Sequence, residues 1–285
     1  MSTELTARVA LEKYGFRFTH SLGQNFLLNQ EVISGIADAA EVAAGESILE
    51  IGAGAGILTA EMIARGAHVV AIELDKALEP VLQAVVPGAH ILFEDALKVD
   101  LADLAQHAFG GAPFRVVANL PYYITADMIT RLVTQPTGLT SLTVMVQKEA
   151  AERIMAQPGQ KNYCALAARV RYFGGARWLL DVPPTAFTPP PHVDSALIRI
   201  DRAARETPDR AREDMMQRVI TTAFAMRRKT LSNNLTQAFS LSKEKTVSVL
   251  ESAGLDARVR GEALTIAQLL RVTDCLMELF RSGCV

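Results

Sequence analysis

The chain has 285 residues, 49% of them hydrophobic, with 29 Lys and Arg against 31 Asp and Glu for a formal net charge of −2. That is enough apolar sequence to bury a large core, divided into one large and one smaller domain, and a charge balance with no overall nucleic-acid signal. Cys164, Cys275 and Cys284 are too scattered for a disulfide framework or a zinc cluster, and the five His show no metal-ligand spacing.

The polar start Met1-Ser2-Thr3-Glu4 has no apolar core of signal-peptide type and no stretch approaches a membrane span, so a cytosolic protein is expected. Just beyond it, Arg8, Lys13, Arg17 and His20 interleave with Tyr14, Phe16 and Phe18. This suits stacking on RNA, and equally a tail packed on the core.

Ser47 to Ile51 reads as a short buried strand that runs into Gly52-Ala53-Gly54-Ala55-Gly56 and then a helical pattern from Ile57 to Arg65. Strand, glycine turn and helix is a nucleotide-binding order, because glycines admit close backbone approach and a helix start offers free amides. His68 to Leu74 is a second strand, ending in Glu73, whose carboxylate can accept from both hydroxyls of a ribose. A third, His90 to Phe93, ends in Glu94-Asp95, where an acid can accept from an adenine amino group. To this point a nicotinamide dehydrogenase fits as well.

The apolar run Arg115 to Ala118 ends in Asn119-Leu120-Pro121-Tyr122. The N6 nitrogen of adenine is a poor nucleophile whose lone pair is delocalised into the ring, and it needs acceptors that draw it toward tetrahedral geometry. The Asn119 side-chain oxygen and a neighbouring backbone carbonyl can supply them, while Tyr122 stacks on the base and holds the nitrogen in line with a methyl donor. The bland alternative is a strand ending in a proline turn with a buried Tyr. Donor site and amine site then meet at one sheet edge.

Ala126 to Leu132 continues as a helix, Leu142 to Val146 as a fifth strand, Lys148 to Met155 as a helix, and 157–162 as a polar loop. Leu179 to Val182 and Ala196 to Ile200 read as further strands around a proline-rich segment, giving a mixed sheet of seven strands in a doubly wound core. From about Arg205 the apolar residues fall at helical spacing (Met215, Val219, Thr222, Ala223, later Leu269, Leu276, Leu279), which predicts a small helical domain with its boundary in 201–208. From Asp201 onward 14 Lys and Arg stand against 11 Asp and Glu, leaving 15 against 20 for the first 200 residues, an asymmetry that favours RNA contact by the C-terminal part. Arg227-Arg228-Lys229 can neutralise phosphates there, or simply complement a helix end.

Five segments together carry a family resemblance: Gly23-Gln24-Asn25-Phe26-Leu27, Glu50 to Gly56, Asn119 to Tyr122, Gln147-Lys148-Glu149, and Phe187-Thr188-Pro189-Pro190-Pro191-His192-Val193-Asp194-Ser195-Ala196. Arg227 to Leu231 with Asn233-Asn234-Leu235 extends it. The chain resembles the small-subunit ribosomal RNA adenine N6,N6-dimethyltransferases from about Ser21 onward.

The resemblance implies a class I methyltransferase domain over 1–204, of Rossmann-like α/β fold with about seven mostly parallel strands and a poorly matching extension at 1–20, and a helical RNA-contacting domain over 205–285. It implies S-adenosylmethionine as cofactor, held by Asn25, Leu27, Glu50, Gly52, Gly54, Gly56, Glu73, Leu74, Asp95, Ala96 and Asn119. The catalytic set it implies is Asn119, Leu120, Pro121 and Tyr122, with Phe187 facing the flipped base opposite Tyr122. RNA contacts fall to Arg227, Arg228 and Lys229, no metal is used, and the 157–162 loop lies close to the active site. The implied reaction transfers methyl groups in line until each of two adjacent adenosines in the 3′-terminal hairpin of small-subunit RNA carries two. A pre-30S subunit is the expected partner, and the protein a monomer. Cys164 departs from the Gly of many relatives. Other readings are a macrolide-resistance methyltransferase of large-subunit RNA and a non-catalytic assembly or transcription factor on the same scaffold; the Phe187 segment and the basic triplet favour the small-subunit enzyme.

Overall fold

Short apolar runs followed by stretches of helical periodicity are what an alternating α/β chain requires, and the first half of the sequence supplies them in turn. The computed structural model describes residues 3–18, 24–135, 138–203 and 209–282. Its strands are β1 (Phe26–Leu27), β2 (Ser47–Ile51), β3 (His68–Glu73), β4 (His90–Phe93), β5 (Phe114–Asn119), β6 (Leu139–Gln147), β7 (Ala176–Val182), β8 (Phe187–Thr188) and β9 (Ser195–Asp201). Its α-helices are α1 (Thr3–Lys13), α2 (Gln30–Ala39), α3 (Ile57–Ala64), α4 (Glu79–Val85), α5 (Leu101–Phe109), α6 (Thr125–Thr134), α7 (Lys148–Met155), α8 (Ala165–Phe173), α9 (Arg210–Ala225), α10 (Leu231–Phe239), α11 (Lys243–Ser252) and α12 (Ile266–Arg281). The chain divides into two compact units, Met1–Ala151 with Ala176–Arg202, and Glu152–Gly175 with Ala203–Val285.

The first unit is built on a seven-stranded sheet of order β4-β3-β2-β5-β6-β9-β7. Pairings from β4 through β6 are parallel, whereas β9 joins β6 and β7 antiparallel. This matches the mixed, mostly parallel sheet expected. The chain enters at β2, winds outward to β3 and β4, then returns past β2 to lay down β5 and β6 on the other side. Loops leaving the carboxyl ends of β2 and β5 therefore turn to opposite sides of a crevice, the usual ligand site of an open α/β sheet. Nearly every residue of β2 and β3 is buried, which is why these strands read as unbroken apolar runs rather than alternating ones.

The N-terminal stretch is not an unstructured tail. Residues Thr3–Lys13 form α1, with Ala7, Ala10 and Leu11 buried. Phe16 and Phe18 close on Phe26, with ring centroids 5.2 to 5.6 Å apart, and both pack against the main core cluster. Of the two uses open to these aromatics, core packing is the one that Phe16 and Phe18 serve; Tyr14 stays exposed. His20, Gly23, Cys284 and residues 204–208 of the expected boundary lie outside the described residues.

The second unit gathers α8 through α12 around Met216, Val219, Leu235, Leu269 and Leu276. It also takes residues 152–175, where the sequence reading placed the division only after 204. The reason is Tyr163, fully buried. Its ring meets Phe224 edge to face at 5.4 Å, its hydroxyl donates to the Leu264 carbonyl, and Ala167 and Ala168 join the same core. Helix α12 opens on a capping box, Thr265 with Gln268. No described helix is long and apolar enough to cross a membrane.

Candidate active site

Beyond Ile51 the backbone turns through Gly52 and Gly54 to Gly56, all at positive φ. At Gly52 a Cβ would sit 3.4 Å from Pro121 Cδ and 3.6 Å from the Asn119 carbonyl. The two turns thus lie within contact distance of each other, and it is the φ of +81° that favours glycine at this position. Gly56 is the N-cap of α3, at φ +81°. A Cβ there would fall 2.9 Å from Leu82 Cδ2, so its absence seats α3 against α4.

Three carboxylates stand at the strand ends. Glu73, 7% exposed, accepts from the Gly54 amide through one oxygen and from the Asp75 amide through the other, both at 2.8 Å. Those bonds pull its pKa down, but burial outweighs them and holds it above the ordinary range. Each oxygen keeps lone pairs for a ligand. Asp95 accepts from the Leu97 amide at 3.0 Å and pairs with the exposed Lys98 at 3.3 Å. Glu50 on β2 is 1% exposed and receives the Thr59 hydroxyl at 2.5 Å. Burial pushes its carboxyl up to about 8 against that bond, with the nearby Glu73 charge adding to the push.

Strand β5 carries Asn119 to the same crevice. The Asn119 amide nitrogen lies 3.4 Å from the Asn25 carbonyl, which turns the Oδ1 end away as an acceptor. Leu120 is buried and its amide bonds the Met145 carbonyl on β6. The Pro121 carbonyl already takes the Ile124 amide and the Thr125 hydroxyl. No backbone donor among the described residues meets the Leu120 carbonyl, so it is the acceptor open beside Asn119. The Tyr122 hydroxyl lies 2.7 Å from Ser195 Oγ on β9, fixing that ring.

One cavity brings together Asn25, Leu27, Glu50, Gly52, Gly54, Glu73, Leu74, Asp95, Ala96, Asn119, Leu120, Pro121 and Tyr122. Two residues named from the sequence stand apart from its wall. Gly56 caps α3, as above. Phe187 is 4% exposed, because β8 pairs antiparallel with β1 in the register Leu27↔Phe187 and turns the ring into the core. The cavity also takes in Phe26, Glu94 and Tyr123, of which Tyr123 carried a visible signal as a second aromatic beside Tyr122. Four acids and no Lys, Arg or His line it; burial keeps Glu50 neutral, and the other three favour a ligand with positive charge. Among the described residues no group of three or more His, Cys, Asp or Glu is placed to hold a metal.

In the second unit, Arg227 is already engaged. Its guanidinium donates to the Lys161 carbonyl at 2.7 Å and pairs with Glu262 at 3.2 Å, holding the 157–162 loop. Arg228 and Lys229 are exposed.

The sequence matches the family described as "Ribosomal RNA adenine dimethylase" over residues 15–278. A protein named "Ribosomal RNA small subunit methyltransferase A" from Alkaliphilus oremlandii (strain OhILAs) is 40% identical over 272 residues, covering 94% of this chain and 95% of the relative. One of the same name from Geobacillus thermodenitrificans (strain NG80-2) is 39% identical over 278 residues, covering 95% of each. Among solved structures, a dimethyladenosine transferase from Plasmodium falciparum superposes with TM-score 0.69 at 23% identity, covering 90% of this chain and 97% of that one. The 23S rRNA methyltransferase ErmE gives TM-score 0.65 at 24% identity, covering 89% and 100%. These two show that the fold is shared.

Proposed function

The chain belongs to the ribosomal RNA adenine dimethylase family, and from that premise we propose that it dimethylates N6 of two adjacent adenosines in the 3′-terminal hairpin of small-subunit ribosomal RNA, using S-adenosylmethionine. The observation that carries this is the meeting, in one acid-lined cavity, of the glycine turn, Glu73 and Asp95 with the two acceptors of Asn119 and Leu120. The residues fit that donor: a sulfonium and an ammonium suit a cavity lined by acids and no base, even with Glu50 neutral, and Glu73 retains lone pairs for two ribose hydroxyls.

When bound, the donor supplies an electrophilic methyl group. Asn25, Leu27, Gly52, Gly54, Leu74 and Ala96 seat it, with Glu73 on the ribose, Asp95 at the adenine amine, and Glu50 behind the turn. Gly56 contributes by setting the start of α3. Asn119 Oδ1 and the Leu120 carbonyl accept from the target amine, which offers two hydrogens in the first transfer and one in the second, and draw its nitrogen toward tetrahedral geometry as positive charge develops. Pro121 fixes that turn, and Tyr122, held by Ser195, stacks on the extruded base so that the amine stays in line. The nitrogen lone pair forms the new C–N bond while the S–C bond breaks, and the spare proton leaves to water afterwards, so no side chain has to act as base. Phe187 backs Leu27 through the β1–β8 pair rather than meeting the base directly. Arg228 and Lys229, with Arg227 bracing them, contact phosphates. The protein works as a cytoplasmic monomer on a pre-30S subunit.

Asn119→Ala beside the parent is the direct test, with labelled S-adenosylmethionine and, separately, small and large subunits lacking the modification. Losing one of two transition-state acceptors lowers the rate at saturating donor by about 100-fold or more, beyond any weakening of donor binding, which Asn119 also serves. Dimethylation at the normal rate would overturn the assignment of Asn119; methyl transfer to large subunits instead would move the substrate.

A further inference from the structure

Tyr122 and Tyr123 are consecutive in a 3-10 turn, Tyr122–Ile124, where neighbouring side chains leave the axis about 120° apart. One turn at the tip of β5 thus sends two aromatic rings in different directions. Tyr122 reaches Ser195 at 2.7 Å, on β9, which lies beyond β6 on one side of β5. Tyr123 lines the cavity with Glu73 and Asp95, which close β3 and follow β4 on the opposite side of β5. Burial, and then the charges of Asp95 and Glu73, hold its phenol above the ordinary range, so it keeps its proton and is a hydrogen-bond donor among acceptors. Yet the residue is 53% exposed, an aromatic face that the protein leaves open over its own cavity.

We propose that Tyr123 is a donor-binding residue whose ring covers the adenosine end of the methyl donor, leaving Tyr122 to serve the target base. This rests on the donor-site reading of the cavity given above. The two tyrosines divide the work at β5: the ring tied to β9 faces the amine, and the ring on the acid side covers the cofactor. A flat, half-exposed aromatic suits a purine and ribose, which offer a π face and hydroxyls side by side.

Titration calorimetry of S-adenosylmethionine into the full chain tests this, alongside steady-state kinetics on small subunits. Tyr123→Ala should raise the donor Kd about tenfold, the scale of one lost aromatic stack, with RNA KM within about twofold of the parent. Tyr123→Phe, which keeps the ring, should raise Kd only about threefold, the scale of one hydroxyl bond. Since the side chain is half exposed, both variants should keep the parent's circular dichroism. A donor Kd within twofold of the parent in Tyr123→Ala, or a rise confined to RNA KM, would overturn the assignment. Failure of the parent itself to bind S-adenosylmethionine would overturn the donor-site reading and this inference with it, a result distinct from a silent variant.

Discussion

Glu50 is a carboxylic acid that folding holds in its neutral form. With its pKa pushed from 4.5 to about 8, the folded chain binds a proton there that the unfolded chain has released. The stability this contributes is whole below pH 4.5 and is lost as pH rises toward 8, at about 1.4 kcal/mol per pH unit. Glu50→Gln keeps the shape and removes the titration. In thermal unfolding at pH 5.5 and 8, the melting temperature of the Gln variant relative to the parent should rise with pH; a difference that stays constant would show that Glu50 is charged in the fold. Single residues also mark where sequence reading reaches its limit. That Asn119, Glu73 and Asp95 share one cavity was legible because each stands at, or just beyond, the end of an apolar run. The Tyr122–Ser195 bond joins residues 73 positions apart, and Arg227, expected to contact phosphates, also binds Lys161 and Glu262. Neither is written in local spacing.

Element by element, the strands that build the crevice were the easiest to see. β2 and β4 fall where the apolar runs place them, because a short apolar run bounded by turn residues and ending in an acid or a glycine turn has few other readings, and α7 begins and ends as expected. By contrast, β1 and β8 have two residues each, too few for any period, and they exist only because they pair with one another. Helix α8 was missed as part of the helical unit since its allegiance is decided by nonlocal contacts, Tyr163 with Phe224 foremost. The glycine at the head of α3 carries a prediction at this scale. Gly56→Ala adds a methyl 2.9 Å from Leu82 at φ +81°, joining a clash to backbone strain, and should cost about 2–3 kcal/mol. Chemical denaturation measures it, and a loss under about 0.5 kcal/mol, the size of an ordinary surface substitution, would mean that α3 and α4 yield at no cost.

At the scale of the molecule, a net charge of −2 gives no overall pull on RNA, so the proposed phosphate contacts fall to the exposed Arg228 and Lys229. Arg228→Ala with Lys229→Ala should weaken subunit binding and flatten its salt dependence by roughly one to two units of log–log slope, leaving S-adenosylmethionine affinity unchanged. An unaltered slope would place the phosphate contacts elsewhere. Sedimentation of the free protein should give a mass near 30.9 kDa; twice that mass would contradict the monomer.

The winding of the sheet has an engineering consequence. Because the chain lays β3 and β4 on one flank of β2 and β5, β6 and β9 on the other, the wall around Glu73, Leu74, Asp95 and Ala96, Tyr123 apart, is encoded separately from Asn119, Leu120 and Tyr122, the residues proposed to grip the amine. On the proposed reading, enlarging that wall for a donor analogue with a bulkier purine would leave Asn119, Leu120 and Tyr122 untouched, and the scaffold would offer an orthogonal labelling pair: a reshaped enzyme that tags the same adenosines with a donor that the unaltered enzyme would reject.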